Sequence, residues 1–194
     1  MSILNQRSWQ KNTAPDSVIY VDLANTKNGE ILETQTFTWE NAPSRARRVL
    51  TPGDTIVGTV RPGNRSFALV PTTEYQLTGS TGFAVISPRS PEWTEFNYIA
   101  LTANESIERL SHLADGGAYP AVRPEVVTDL EMTLPPESVL NAFHQMCMPF
   151  FAWIERNRKQ SPTLAELRDS LLPKLLSGEL TLPAAQTQAT EALG

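Results

Sequence analysis

The sequence predicts an α+β protein: a β-rich domain followed by a long C-terminal helical arm with coiled-coil-like spacing. Three observations carry this. Between Val18 and about Val127 short β-rich runs alternate with breaks built on Pro, Gly, Asn and Ser. Pro135-Pro136 then interrupts the chain. Beyond it the apolar residues recur in alternating steps of three and four, the period of a helix that buries one narrow stripe. The boundaries drawn are 1–136 for the β-rich domain, 137–180 for the arm and 181–194 for a disordered tail.

Composition limits the function classes. A chain of 194 residues with 40% hydrophobic and 19% charged residues holds one full-sized core and an accessory element. The opening MSILNQRSWQKN lacks an apolar signal core, and no apolar run approaches the roughly 18 residues of a membrane span, so the expected location is cytoplasmic with no membrane partner. The single Cys147 forms no internal disulfide, and with only His112 and His144 beside it no metal site is expected. A net charge of −5 argues against coating DNA without regard to sequence, which needs many cationic phosphate contacts. The basic residues nonetheless concentrate in the first third: residues 1–70 carry 8 basic and 6 acidic side chains, against 3 and 9 in 71–136 and 5 and 6 in 137–194.

The elements follow in chain order. The runs VIYVDLA, DTIVGTV, SFALV and FAVIS read as strands, separated by turns at Pro52-Gly53, Pro62-Gly63-Asn64 and Gly79-Ser80-Thr81-Gly82. A helix starts at Ser90-Pro91-Glu92, with a capping Ser before Pro, and carries Trp93, Phe96, Ile99 and Ala100 on one face. A second starts at Asn104 and spaces Ile107, Leu110 and Leu113 helically. After the turn Asp115-Gly116-Gly117, AVRPEVV and LEMTL read as extended. In the arm, Leu140, Phe143, Cys147, Phe150 and Ile154 form the first seam, kinked at Pro149. Ser161-Pro162 restarts or continues the helix, Glu166 lies in its first turn, Leu164, Leu167, Leu171, Leu172, Leu175 and Leu176 supply its apolar face, and Gly178 ends it.

No catalytic constellation is present, and no cofactor is expected. The sequence lacks Gly-x-Ser-x-Gly, a phosphate loop ending in Gly-Lys-Ser or Gly-Lys-Thr, and His-Glu-x-x-His. It also lacks the Asn-Pro-Pro-Tyr or Asp-Pro-Pro-Tyr of amino-methyltransferases and the spaced acidic residues and lysine of nucleases. Gly79-Ser80-Thr81-Gly82 has no lysine after it and reads as a sharp turn. His112 and His144 read as packing or surface residues, and Cys147 as an inert thiol on the apolar stripe.

Arginines are the informative residues. Arg61, Asn64 and Arg65 surround one turn, where guanidinium can read guanine and Asn can read adenine, or either can grip phosphate; a solvated hairpin is the plain alternative. Arg45, Arg47 and Arg48 make a denser basic patch suited to phosphate, or simply a solvated face. Thr81, Tyr119 and Arg123 are weaker candidates for DNA contact.

The stretch from Thr163 to Leu180, TLAELRDSLLPKLLSGEL, closely resembles the helical ending of specificity subunits of type I restriction-modification systems. Gly53 to Pro62, GDTIVGTVRP, and Gly79 to Ile86, GSTGFAVI, resemble that family's target recognition domain. The likeness runs from about Val18 to Leu180, and the family's opening segment is not matched, which leads to the expectation of a truncated or divergent N-terminus. Family members usually carry two recognition domains and two long helices packed antiparallel, and this sequence has material for one of each, a half-length form.

The resemblance implies a non-catalytic subunit. Residues 1–136 would be a DNA-binding domain reading one half-site of double-stranded DNA, while methyltransferase (modification) subunits and restriction subunits supply the chemistry. It favours DNA contact by the arginines, and pairing as a homodimer along Leu140, Phe143, Phe150, Ile154, Leu164, Leu167, Leu171 and Leu175. The competing expectation is a noncatalytic interaction module or remnant that pairs with a full-length specificity subunit without reading DNA.

Overall fold

The run FAVIS is apolar at every position but its last, the pattern of a strand buried on both faces. The computed structural model, which describes residues 2–115 and 117–193, shows why. In chain order its strands are β1 (Ser2–Leu4), β2 (Ser17–Val21), β3 (Thr26–Lys27), β4 (Glu30–Ile31), β5 (Gln35–Thr38), β6 (Ala46–Leu50), β7 (Thr55–Gly58), β8 (Phe67–Leu69), β9 (Leu77–Ser80) and β10 (Phe83–Pro88). Its helices are α1 (Thr94–Thr102), α2 (Asn104–Leu113), α3 (Pro124–Thr128), α4 (Glu137–Leu176) and α5 (Leu182–Leu193). The architecture is α+β. Contacts divide the chain into two units, Met1–Cys147 and Met148–Gly194.

In the first unit one antiparallel sheet runs in the order β1-β10-β7-β8 and a second in the order β5-β2-β9-β6, with β2 and β9 parallel. Alternate residues of the shared strands serve two cores. Ile56, Ala68, Phe83 and Val85 face the second sheet and meet Val21, Leu50 and Leu77. Val57, Phe67, Ala84 and Ile86 face the helices and meet Leu101, Ile107, Leu110 and Val127. The first sheet is therefore the middle of three layers, and its strands have no polar face to show.

Several expectations are corrected by tertiary context. Ser2–Leu4 and the stretch around Ser8, unassigned in the sequence, pair with β10 and with Arg48 of β6. Gly79 and Ser80 belong to a strand rather than to a turn; a Cβ at Gly79 would lie 2.9 Å from the Leu50 side chain, so glycine here admits the core instead of bending the chain. AVRPEVV is not extended: Pro124 opens α3, for which its fixed φ and absent N–H are suited. LEMTL forms no regular element. In α1 the buried residues are Glu95, Asn97, Leu101 and Thr102, while Ile99 is exposed.

The arm differs most. α4 runs as one helix through Pro149, Pro162 and Pro173. Gly178 ends it at φ +75°, a left-handed conformation open to glycine. Leu140 is buried and Phe143 stacks edge-on against Phe96 of α1, with ring centroids 6.5 Å apart. Of the residues expected on the pairing seam, Leu140 is thus buried within the first unit, while Phe143 stays half-exposed beside Phe96. Leu182–Leu193 is helical where a disordered tail was expected; Gly194 lies outside the described residues. Among the described residues no helix is long and apolar enough to cross a membrane.

Candidate nucleic-acid interface

The ends of several strands meet along one edge of the first unit. Thr81-Gly82 is the corner where the chain passes from β9 in the second sheet to β10 in the first. The Thr81 N–H donates to the Arg45 carbonyl at 2.8 Å, and both the N–H and the hydroxyl of Thr59 donate to the Gly82 carbonyl at 2.8 Å. Val122 N–H then reaches Thr59 O at 2.9 Å and Arg61 N–H reaches Pro120 O at 2.8 Å, which attaches the segment before α3. On the other side Asn28 N–H donates to Arg65 O at 2.9 Å and ties in the β3–β4 turn. Separate chain segments are thereby held as one rigid edge.

Arginine side chains stand on it. Arg45 is exposed and its Nε donates to the Tyr20 hydroxyl at 3.0 Å. Arg61 is exposed, lies 5.1 Å from the centroid of the Tyr119 ring, and donates one terminal N–H to Ala118 O at 3.0 Å. Arg65 is half-buried, its Cζ 5.3 Å from the Phe67 ring centroid and its Nε 3.0 Å from Asn28 Oδ1. All three are held by neutral oxygens, and none takes part in the ion pairs found among the described residues. Their charge is not cancelled locally, which suits a polyanion. Asn64, Thr81, Tyr119 and Arg123 are exposed on the same connected segments.

The backbone here is strained. Among the described residues, the non-glycine residues with left-handed φ are Asn5, Asn28, Arg61 and Arg65, and three of those belong to this edge. Left-handed backbone costs a non-glycine residue about 1 to 3 kcal/mol and persists where the surroundings over-determine it, commonly at functional sites. Arg61 and Arg65 flank the short helical turn Pro62–Asn64, whose Pro62 is buried and whose Gly63 lies against Ser111 of α2.

Arg47 and Arg48 lie in β6, where the register against β9 shifts between Ala46 and Arg48 and leaves Arg47 as the extra residue. Arg47 lies over the Trp39 ring at 4.4 Å and lines an open groove with Trp9, Lys11 and Ser44. Arg48 turns inward: Nη1 donates to Ser8 Oγ at 3.2 Å, Nε is buried without a hydrogen-bond partner, and burial lowers the guanidinium pKa despite the opposing charge of Glu125. Arg48, as half-exposed as Arg47, is thus engaged with Ser8 where Arg47 is engaged with Trp39.

Elsewhere, His144 Nδ1 lies 2.6 Å from the buried Glu95 carboxylate, joining the first turns of α4 to α1. Burial, then the Glu95 charge, push the Cys147 thiol up, away from the reactive thiolate. Among the described residues no group of three metal-ligating side chains converges. Sequence reasoning missed Asn28, Tyr20 and Glu95. Asn28-Gly29 was a readable signal, since Asn-Gly favours the two-residue hairpin turn found between β3 and β4; a glutamate turned inward from a helix leaves no such mark.

No protein-family model matches the chain. It is 24% identical over 168 residues to the type I restriction enzyme HindI specificity subunit of Haemophilus influenzae, an alignment covering 85% of this chain and 36% of that protein. It is 32% identical over 74 residues to the MjaIX specificity subunit of Methanocaldococcus jannaschii, covering 38% and 17%. Among solved structures it matches a chain described for complex assembly and conformational transition of the type I R-M system, with TM-score 0.60, 26% identity and coverage of 94% of this chain and 50% of that one. It also matches the HsdS subunit from Thermoanaerobacter tengcongensis, with TM-score 0.56, 25% identity and coverage of 88% and 48%. The chain spans about half the length of these solved relatives and about a third of the Haemophilus protein. By sequence and by structure, its relatives are type I specificity subunits.

Proposed function

We propose that this chain, whose relatives are type I specificity subunits, is itself a non-catalytic DNA-recognition subunit of a type I restriction-modification complex. It reads one half-site of double-stranded DNA and docks modification and restriction subunits in the cytoplasm. The observation that carries the reading is the edge bearing Arg45, Arg61 and Arg65, whose guanidinium groups are oriented by neutral partners on a stitched framework. Such a framework holds side chains at base edges at little entropic cost on binding.

The roles divide by geometry. Arg65, Arg61 and Asn64 lie around one braced turn and read base edges, where bidentate arginine distinguishes guanine. Arg47 lines the groove with Lys11, and with Arg45 it positions the duplex on its phosphates. Thr81, Tyr119 and Arg123 complete the contact surface. A second copy pairs through α4, where Phe150, Ile154 and Leu164 are exposed and Leu167, Leu171 and Leu175 half-buried. Two recognition units then face two half-sites.

Selection from randomised duplexes, with the modification subunit present, tests this. One enriched sequence element per chain is expected. Failure to enrich any sequence while the chain still pairs with a full-length specificity subunit would favour an interaction module instead. Purified chain with S-adenosylmethionine should transfer no methyl group to DNA, and transfer by the chain alone would overturn the non-catalytic assignment.

A further inference from the structure

We infer that Asn28, at the tip of the β3–β4 hairpin, is a positioning residue that sets which donors Arg65 presents to a base; this rests on the proposal that Arg65 reads DNA. A guanidinium group has five N–H donors in a rigid fork. The single Nε–H of Arg65 is taken by Asn28 Oδ1 at 3.0 Å, and the Phe67 ring lies 5.3 Å from Cζ. One contact holds the edge of the plane and the other its face. The four N–H groups on Nη1 and Nη2 remain, the end-on fork that pairs with two acceptors at once.

Arg61 offers a useful contrast. It donates a terminal N–H to Ala118 O, so part of its end-on fork is already used. Arg65 is the better bidentate reader of the two, and Asn28 is the reason.

The backbone couples the pair further. Asn28 N–H donates to Arg65 O at 2.9 Å, and Gly29 N–H to Phe67 O at 2.8 Å, so the hairpin tip runs beside the chain that carries Arg65. Asn28 and Arg65 both have left-handed φ, +49° and +60°. Asn tolerates that region because its short amide bonds locally; here the amide bonds across to the arginine. The hairpin tip thus acts as a bracket for a side chain 37 positions away.

The test uses the full chain with its modification subunit, on the duplex selected above and on duplexes changed at each base pair in turn. Arg65→Ala is expected to reduce discrimination at one base pair by about 10- to 100-fold. Asn28→Gly removes the acceptor while easing the left-handed backbone. It should reduce discrimination at that same base pair by about 3- to 10-fold, leaving other positions and the salt dependence unchanged. Asn28→Asp keeps an acceptor in place and should retain discrimination at that base pair, while its added charge weakens binding to all duplexes alike. Arg65→Ala combined with Asn28→Gly should behave as Arg65→Ala alone, since a bracket without its arginine has nothing to hold.

Thermal unfolding of each variant confirms folding, and Asn28→Ser, which is too short to reach Nε, replaces the glycine variant should that one unfold. If Asn28→Gly leaves discrimination intact while Arg65→Ala relaxes it, the positioning role is wrong and base reading by Arg65 stands. If Arg65→Ala weakens all duplexes alike, base reading itself fails, and Asn28 falls with it.

Discussion

The two units use apolar side chains in opposite ways. In Met1–Cys147 the large residues of the central strands, Phe83, Ile56 and Ile86, are wholly buried. In Met148–Gly194, Phe150 is 58% exposed, Trp153 61% and Leu164 46%. A strand pair alternates its side chains between two faces, and a sheet layered between helices and a second sheet buries both without help. The second unit holds only the rest of α4 and the short α5, and leaves these large side chains exposed. The first unit carries its own stability, whereas the second carries a surface that another helix would complete.

The largest expected effect separates the units directly. Phe83→Ala should cost about 3 to 5 kcal/mol in urea unfolding, as for an aromatic removed from a closed core. Trp153→Ala, a larger truncation, should change unfolding of the dilute monomer by less than about 0.5 kcal/mol. Equal losses would show that the helical unit packs by itself, and the comparison would fail.

The next concerns what completes that surface. Leu167→Glu together with Leu171→Glu should convert the chain to a monomer in sedimentation at micromolar concentration, while the parent sediments as a dimer. A monomeric parent would break the pairing proposal and leave the DNA-reading one untouched.

Smaller effects sharpen the contrast. His144→Ala strands the buried Glu95 carboxylate and should cost about 1 to 3 kcal/mol. Lys159→Ala, which removes an exposed i,i+4 pair with Glu155 in the second unit, should cost under about 0.5 kcal/mol.

The smallest separates two neighbouring arginines. Arg47→Ala should leave unfolding unchanged and flatten the salt dependence of DNA binding by about one counterion. Arg48→Ala should destabilise the fold and leave the salt slope alone. The reverse outcome would place Arg48 on the DNA and refute this division.

Local chemistry determined a good deal of this molecule from the sequence alone. β-rich runs between Pro, Gly and Asn breaks require strands, Pro-Pro and the steps of three and four require a break and a helix, and Gly178 supplies its end, because each depends only on residues adjacent in the chain. Arg61, Asn64 and Arg65 around one turn were visible for the same reason. Tertiary structure decided what those residues face. That Leu140 is buried in the first unit, that Arg48 meets Ser8 while Arg47 meets Trp39, and that Asn28 grips Arg65 all arise between segments distant in sequence. Their pairing is set by packing and hydrogen bonding across the fold, on which no local pattern reports.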